Sequence, residues 1–217
     1  MIHRKTYTLL IFSAFLASGI MMRAQNTDFR ILYDLQQRRT PAADATMKWV
    51  SNSVWITPMV PLGMAVGGWT TGNKPLLHNA AETGSAWGGN LAITVGAKYL
   101  VRRPRPYQEY PDMLVSLSTE PDPSFPSGHT SMAFATATSL SLLYPRWYIV
   151  VPSLIWASAV GFSRLYLGVH YPSDVLTGAL IGVGIAALAH HVSQRMLNEY
   201  PALPPTKAVV IPLSFSF

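Results

Sequence analysis

The sequence of 217 residues contains no cysteine, and only 12% of its residues are charged. The absence of cysteine excludes a disulfide scaffold, a thiolate zinc or iron-sulfur site and a cysteine nucleophile. The charged fraction is about half of the roughly 25% that is usual in soluble domains. Hydrophobic residues make up 49% of the chain, which excludes a disordered protein. A chain of this length and composition is expected to fold as one largely apolar domain.

The few charged residues are spread so that long stretches contain no Asp, Glu, Lys or Arg. These stretches are residues 6–22, 49–73, 83–97, 123–145, 147–163 and 175–194. A bilayer core about 30 Å thick needs roughly 20 helical residues, so most of these stretches are long enough to cross it. The stretch 83–97 requires Lys98 to face a polar interior or to snorkel. We predict an all-α helical bundle with about five or six transmembrane helices. A soluble all-helical enzyme is the alternative.

The N-terminal segment has the pattern of an export sequence. Arg4 and Lys5 precede the first apolar stretch, so residues 1–24 are predicted to form a signal peptide or a first transmembrane helix. The two alternatives stay open, because Ala24 suits a cleavage site whereas Met22 is large for its place in one. Neither alternative changes the side of the membrane on which the following segments are expected.

The rest of the chain is predicted to form a single helical domain over residues 25–200, followed by a Pro-rich C-terminal tail over residues 201–217. Thr40 followed by Pro41 predicts the start of a helix, with the threonine as N-cap. The segment before it, around Leu32, predicts a short amphipathic helix on the membrane surface or an ordinary solvated helix. No chemistry is expected from that segment.

A first polar cluster follows the stretch 83–97. Lys98, Arg102, Arg103 and Arg105 fall within eight residues that include no acid, so these cations are expected to attract an anion. The prolines that flank Arg105 predict that the helix ends before it. A membrane anchor or a patch that binds lipid headgroups is the alternative interpretation.

A second cluster consists of Ser127, Gly128 and His129 at the start of an apolar helix. Ser127 is placed like an N-cap, and backbone N–H groups of this turn could hold a phosphate at the helix N-terminus. His129 would then point into the same site. The alternative is an ordinary helix cap beside a histidine without a catalytic role.

A third cluster contains Arg164, His170 and Asp174. His170 and Asp174 are four residues apart across a helix start, so the carboxylate can accept a hydrogen bond from one ring nitrogen and leave the other as a nucleophile or base. Arg164 adds a bidentate phosphate ligand. A local capping interaction between His170 and Asp174 is the alternative.

Together the three clusters supply what phosphoryl transfer needs: cations, N–H donors, two histidines and an orienting carboxylate. No metal ion is required in this scheme. If the N-terminal basic residues stay in the cytoplasm, the alternation of helices places residues 98–129 and 163–174 together on the outer side. The topology therefore supports one composite site.

The chain resembles the type 2 phosphatidic acid phosphatase superfamily, because the three parts of that family's signature match in residue type, order and spacing. The matching segments are Lys98-x6-Arg105-Pro106, Pro126-Ser127-Gly128-His129 and Ser163-Arg164-x5-His170-x3-Asp174. The resemblance covers about residues 49–192. Its spacing selects Arg105 rather than Arg102 or Arg103 as the arginine of the first part.

The resemblance implies an all-helical phosphatase core that works without a metal or other cofactor. The residues that it implies as phosphate ligands are Lys98, Arg105, Ser127, Gly128 and Arg164. It also implies that His170 attacks phosphorus to form a phosphohistidine, that Asp174 orients His170, and that His129 protonates the leaving oxygen. Water then hydrolyses the intermediate.

We therefore expect an integral protein of a bacterial-type cell membrane that hydrolyses a lipid phosphate or diphosphate, with its active site facing the periplasm or the cell exterior. Phospholipid, isoprenoid and lipid A phosphates would fit the same pocket. A soluble periplasmic acid phosphatase of the same superfamily is the alternative; a vanadate-dependent haloperoxidase and a non-enzymatic lipid-binding protein fit the sequence less well. No nucleic acid or protein partner is indicated.

Other ionisable residues are expected to stay outside the site. His190 and His191 lie far along the last helix from His170 and are interpreted as interfacial. His78 and Glu82 are placed in a loop on the opposite side of the membrane.

Overall fold

The computed structural model describes residues 27–199, and this part of the chain is helical with no β-strand. Its helices are α1 (27–37), α2 (Pro41–Asn52), α3 (Met59–Thr71), α4 (Lys74–Val101), α5 (Pro106–Glu109), α6 (Gly128–Leu143), α7 (Trp147–Tyr166) and α8 (Pro172–Glu199), with a short 3-10 turn at Ser53–Ile56. The all-α prediction is confirmed. The predicted signal peptide or first helix at 1–24 and the tail at 201–217 lie outside the described residues, so the domain boundaries stay predictions.

Local sequence signals explain where several helices begin and end. Thr40 caps α2, because its hydroxyl accepts a hydrogen bond from Ala43 N, and Pro41 follows at the first helical position, as predicted. Asn73 caps α4 in the same way through Leu76 N at 3.0 Å. Gly72 ends α3 with a φ of 68°, a left-handed conformation that glycine adopts at little steric cost.

The charge-free stretches correspond only partly to helices. Residues 49–73 do not form one span, because the 3-10 turn and Pro58 divide them between α2 and α3. The short stretch 83–97 lies within α4, which is 28 residues long. In the described part of the chain, α7 and residues Pro172–Leu197 of α8 are long and apolar enough to cross a membrane by length and composition. The number of spans stays a prediction.

Two glycines allow α8 to lie directly against α6. A Cβ atom at Gly178 would come within 2.6 Å of the Ser127 carbonyl oxygen, and one at Gly182 would overlap the Ser131 carbonyl. Small residues of this kind let transmembrane helices approach closely. The contact sets the start of α6 beside the start of α8, where Ser127 N donates a hydrogen bond to Asp174 O at 3.1 Å.

The α1 helix packs on protein. Leu32 is buried against Leu114 and Tyr171, and the ring of Phe29 contacts that of Tyr110 with centroids 4.7 Å apart. This packing gives the apolar face of α1 a protein partner, and the position of α1 relative to the membrane surface stays a prediction. Its apolar face is covered by the connection after α5 and by the residue that precedes α8.

The order of the helices determines where the motifs meet. Within the described bundle α4 contacts α3, α6 and α8, while α7 contacts α2, α6 and α8. At one end of the bundle α4 and α7 terminate and α6 and α8 begin. Each sequence cluster follows or precedes one of these four termini, so all three lie at the same end.

Candidate active site

The three clusters form one buried site at that end of the bundle. The Arg105 Nη1 atom lies 3.4 Å from His170 Nε2, which joins the first cluster to the third. The Lys98 side chain passes Gly128, where an added Cβ would lie 3.9 Å from Lys98 Cε, which joins the first to the second. Lys98, Arg105 and His170 are each at most 5% exposed. The structure thus brings together the residues that the sequence selects.

Arg105 lies just outside helix α4, as the flanking prolines predict. The helix ends at Val101, and Arg105 adopts an extended conformation at the start of α5. Its guanidinium is held by the backbone: Nη1 donates to Val169 O and Nε donates to Asp122 O, both at 2.8 Å. This anchoring fixes the plane of the guanidinium beside the His170 ring.

The cations of the first cluster meet acids from another part of the chain. Asp122 bridges two of them, with Oδ2 3.0 Å from Lys98 Nζ and Oδ1 2.7 Å from Arg105 Nη2. Glu120 contacts Arg164 Nη2 at 2.5 Å. Both acids belong to the connection between α5 and α6, which folds back over the site. The cluster attracts anions, as expected, and in this structure they come from the chain itself.

Asp122 is held as a carboxylate by this arrangement. Burial alone would raise its pKa, but Lys98 and Arg105 lower the pKa of Asp122 below its ordinary value. Neither Asp122 nor Glu120 belongs to a motif that the sequence pattern selects. The available signal was that acids are rare in this chain and that these two lie in the connection between the first two clusters.

Arg164 has one N–H group that no described residue contacts by a hydrogen bond. Its Nη1 donates to Ser51 Oγ at 2.5 Å and its Nη2 donates to Glu120. Its Nε is buried and has no hydrogen-bond partner among the described residues. Because buried N–H groups are nearly always paired, this donor is suited to bind a ligand.

His170 and Asp174 are adjacent, although not at ideal hydrogen-bonding distance. His170 Nδ1 lies 3.6 Å from Asp174 Oδ2, and that oxygen also accepts from Ser124 Oγ at 2.5 Å and Tyr171 N at 2.9 Å. Burial lowers the pKa of His170 to about 3, which favours the neutral ring. A neutral imidazole with Nδ1 toward the carboxylate presents the lone pair of Nε2 to the Arg105 side of the site.

Three residues that lie outside the motifs surround Asp174, two by direct contact and one through Arg103. Ser124 donates to the carboxylate as described above. Arg103, which the motif spacing does not select, donates from Nη1 to Asp174 Oδ1 at 2.7 Å. Asp28 of α1 contacts Arg103 in turn, although that segment was expected to carry no chemistry. No sequence signal joins residues this far apart.

Ser127 occupies the N-cap position of α6, but its side chain makes no capping hydrogen bond. Its hydroxyl is 2.9 Å from the Thr130 hydroxyl, and its backbone N–H is taken by Asp174 O. The His129 ring is placed edge-on to the exposed Trp55, with centroids 5.8 Å apart. Its ring nitrogens have no hydrogen-bond partner in the part of the chain described, so they are available to a ligand.

Of the residues predicted to stay outside the site, Glu82, His78 and His190 make polar contacts at the other end of the bundle, while His191 is exposed. Glu82 Oε1 lies 2.9 Å from His190 Nδ1, and His78 Nε2 lies 2.6 Å from Ser193 Oγ. Glu82 is buried within α4, so its placement in a loop is wrong, while the interfacial interpretation of His190 stays a prediction. Among residues 27–199, no group of three His, Asp or Glu side chains is arranged to hold a metal ion.

The family of this chain is shown by comparison with known proteins. A family model described as the PAP2 superfamily matches residues 80–197, more than half of the chain. The chain belongs to the PAP2 superfamily. The match includes every motif residue of the site, from Lys98 to Asp174, and leaves out α1, α2 and α3. The resemblance to the type 2 phosphatidic acid phosphatases is thus confirmed at the level of the family.

Curated relatives match a little under half of the chain. An undecaprenyl-diphosphatase of Sulfolobus acidocaldarius is 36% identical over 102 residues, which are 46% of this chain and 48% of the relative. A decaprenylphosphoryl-5-phosphoribose phosphatase of Mycobacterium tuberculosis is 37% identical over 101 residues, 46% of this chain and 54% of the relative. The chain thus matches about half the length of these relatives.

A solved PAP2 structure shows the same fold. The crystal structure of a transmembrane PAP2 type phosphatidylglycerolphosphate phosphatase from Bacillus subtilis superposes with a TM-score of 0.66. The match covers 87% of this chain and 96% of that one at 23% identity. The likeness therefore extends beyond the family match to most of the bundle.

Proposed function

We propose that this PAP2 protein is a phosphatase that removes phosphate from a lipid phosphate or diphosphate through a phosphohistidine on His170. The observation that carries the proposal is the convergence of Lys98, Arg105 and Arg164 with two histidines in one buried site. Buried cations fixed in advance can neutralise the charge on the equatorial oxygens of a transferring phosphoryl group.

Phosphate binding would replace contacts that the chain now makes with itself. The carboxylates of Asp122 and Glu120 touch the three cations at 2.5–3.0 Å, which is where phosphate oxygens would bind. Arg164 Nε and the groups at the start of α6 would supply further donors. Since Ser127 N is already engaged, Ser127 would contribute its hydroxyl and Gly128 its backbone N–H.

The reaction would proceed in two steps. Burial and the site cations lower the pKa of His129 to about 2, and a bound phosphate anion would raise it so that the ring is protonated. In the first step His170 Nε2 attacks phosphorus while the bond from phosphorus to the leaving oxygen breaks, and the protonated His129 gives that oxygen its proton. Asp174 accepts from Nδ1 and stabilises the positive charge that develops on the ring. In the second, His129 takes a proton from water, the water oxygen attacks phosphorus, and the bond to Nε2 breaks. Phosphate and neutral His170 are regenerated.

A lipid substrate agrees with the surroundings of the site. The α7 and α8 helices that carry Arg164 and Asp174 meet the length and composition needed to cross a membrane. Trp55, 70% exposed, lies beside His129 near the site. The relatives named above act, by their names, on polyprenyl phosphates, which supports the lipid class. We propose that the site lies at the outer face of the membrane, which requires residues 49–73, divided between α2 and α3, to cross the membrane once.

The test is phosphate release by the full chain purified in detergent. The substrates are undecaprenyl diphosphate, phosphatidate, phosphatidylglycerophosphate and lipid A, with a soluble aryl phosphate for comparison. We expect turnover of at least one lipid above the aryl phosphate, and no turnover by His170→Ala. His191→Ala, a histidine on the exposed side of α8, is the matched control. Preference for the aryl phosphate would contradict the lipid assignment, and turnover by His170→Ala would contradict the nucleophile.

A further inference from the structure

The guanidinium of Arg103 lies behind the catalytic carboxylate. Its Nη1 donates to Asp174 Oδ1 at 2.7 Å and to Ser173 Oγ at 2.7 Å. The group stacks on the Tyr171 ring, with its central carbon 3.8 Å from the ring centroid. These contacts all lie around the start of α8. Arg103 thus has different partners from Lys98 and Arg105. Both of those side chains contact Asp122, and Arg105 also lies beside the His170 ring.

The two oxygens of Asp174 therefore have different partners. Oδ2 faces His170, Ser124 and the backbone of Tyr171, while the side-chain hydrogen bond to Oδ1 comes from Arg103. A carboxylate held at both oxygens cannot rotate about its terminal bond without breaking a charge-assisted hydrogen bond. Arg103 thereby fixes the oxygen that orients the His170 ring.

Asp28 holds Arg103 from the other side. Its Oδ2 accepts from Arg103 Nη2 at 3.0 Å and from Ser173 Oγ at 2.5 Å, and its Oδ1 accepts from Ser173 N at 3.0 Å. Asp28 is only 4% exposed. Burial would lower the pKa of Arg103, but Asp174 and Asp28 raise it above its ordinary value, so the guanidinium stays charged between them.

We propose that Arg103 is a positioning residue for Asp174 and that Asp28 of α1 fixes the Arg103 side chain. In this proposal α1 contributes to the geometry of the active site. The proposal rests on the phosphatase function given above. It assigns a role to an arginine that the family motif does not select and to a helix that precedes the region matched by the family. The contacts form a series from Asp28 through Arg103 and Asp174 to His170.

A positioning role predicts a particular kinetic defect. Arg103→Gln removes the charged donor to Oδ1 but leaves the phosphate ligands in place. We expect kcat to fall on the order of 10- to 100-fold with KM changed less than about threefold. Arg103→Lys, which keeps a charged donor, should recover at least part of the loss. A rise in KM at unchanged kcat would instead identify Arg103 as a phosphate ligand and overturn the proposal.

The neighbouring arginine provides the matched control. Arg102 is exposed, and its side chain donates to Tyr99 O. Arg102→Gln removes the same charge one residue away, and we expect its kcat to stay within about twofold of the wild type. Equal losses in Arg102→Gln and Arg103→Gln would show that net charge is responsible and would also overturn the proposal.

The role of Asp28 is tested by the same measurement of kcat. Asp28→Asn should lower kcat about 3- to 10-fold, because one carboxylate oxygen becomes an NH2 group, which cannot accept from Arg103 Nη2 or from Ser173 N. Asp34→Asn, at an exposed position of α1, is the control and should leave kcat unchanged. If Asp28 acts through Arg103, the double variant Asp28→Asn with Arg103→Gln should be no slower than Arg103→Gln alone, within about twofold. Multiplied losses would contradict the series.

A second measurement does not require activity. Hydrogen exchange of the intact proteins in detergent should show faster exchange in peptides covering residues 27–37 and 172–176 in Asp28→Asn and Arg103→Gln, and unchanged exchange in Asp34→Asn. If the wild type released no phosphate from any lipid, the proposed function would fail while exchange would still decide whether Asp28 and Arg103 hold α1 against α8. Unchanged exchange in both variants would overturn the contact itself.

Discussion

The two ends of the α4 helix both carry buried ionisable groups, but they differ in the balance of charge. At the site end Lys98 joins two arginines, and the acids that meet these cations come from a surface connection. At the other end Glu82 meets His190, and no lysine or arginine contacts either of them within the described residues. Sixteen residues separate Lys98 from Glu82, about 24 Å along a helix.

The difference shows that burial of charge does not by itself make a site for a phosphate. Glu82 Oε2 and Asn79 Oδ1 are buried without a hydrogen-bond partner in the described structure. Both are acceptors and would repel an anion. Arg164 Nε at the site end is also unpartnered, but it is a donor. Donors and cations prevail at one end and acceptors at the other, so only the site end is suited to bind a phosphate.

The largest effect is expected from Asp174, the carboxylate beside the proposed nucleophile. Asp174→Asn keeps the shape of the side chain but removes the charge that orients His170 and stabilises its charged form. We expect kcat to fall by about 1,000-fold or more, as for orienting carboxylates in other nucleophile and histidine systems. The measurement is phosphate release under saturating lipid. Retention of more than a tenth of wild-type kcat would remove Asp174 from the catalytic scheme.

A smaller loss is expected for Arg164, whose Nε has no partner among the described residues. Arg164→Lys keeps the charge but cannot contact Ser51, Glu120 and a phosphate together, since lysine lacks the planar fork. We predict a fall of about 100-fold in kcat/KM, arising from both a lower kcat and a higher KM. Arg146→Lys, an exposed arginine at the other end of α7, is the control. A change of less than threefold in Arg164→Lys would exclude bidentate binding at this position.

The sequence was sufficient to predict the motif residues and the end of the bundle at which they meet. Each motif borders an apolar stretch, and helix alternation then brings the borders together. The break in residues 49–73 was also present in the sequence, because Pro58 interrupts the stretch. A count of charge-free residues alone did not detect it.

The contacts that complete the site could not be predicted from the sequence. Asp122 reaches Lys98 through an irregular connection that has no periodic pattern, and Asp28 reaches Arg103 across 75 positions of the chain. Such pairs depend on how a loop or a separate helix packs in three dimensions. The charge excess of Lys98 and its neighbours indicated that an anion would be present. It did not indicate that the chain would supply one.

Asp122 tests whether the cations at the site end of α4 bind phosphate. Asp122→Asn removes an anion that competes with phosphate for Lys98 and Arg105. We expect inorganic phosphate to inhibit this variant about fivefold more tightly than the wild type, a modest change because the Asp122 side chain is 36% exposed. Asp112→Asn, exposed in the same connection, should not change inhibition. Weaker inhibition of Asp122→Asn would show that Asp122 assists phosphate binding.

The same residue predicts a pH dependence of stability. The pKa of Asp122 is lowered from 3.8, so its contact with Lys98 and Arg105 stabilises the folded chain above that pH and is lost as the pH falls through the lower folded value. In phosphate-free detergent the wild type should melt above Asp122→Asn at pH 6 to 7. The difference in Tm should shrink as the pH falls below 3.8. A difference in Tm that grew on acidification would contradict this sign.

The smallest effect on catalysis is expected at the other end of α4. Glu82→Gln and His190→Gln each weaken a buried contact between α4 and α8, so Tm should fall by about 2 to 6 °C. The control His191→Gln, at the exposed neighbouring position, should leave Tm unchanged. Phosphate release should stay within about twofold of the wild type in all three, because the site cations are held by the connection after α5 and not by Glu82. A tenfold loss of kcat in Glu82→Gln, with Tm little changed, would mean that the two ends are coupled along α4. The α4 helix would then transmit a change in the Glu82 cluster to Lys98.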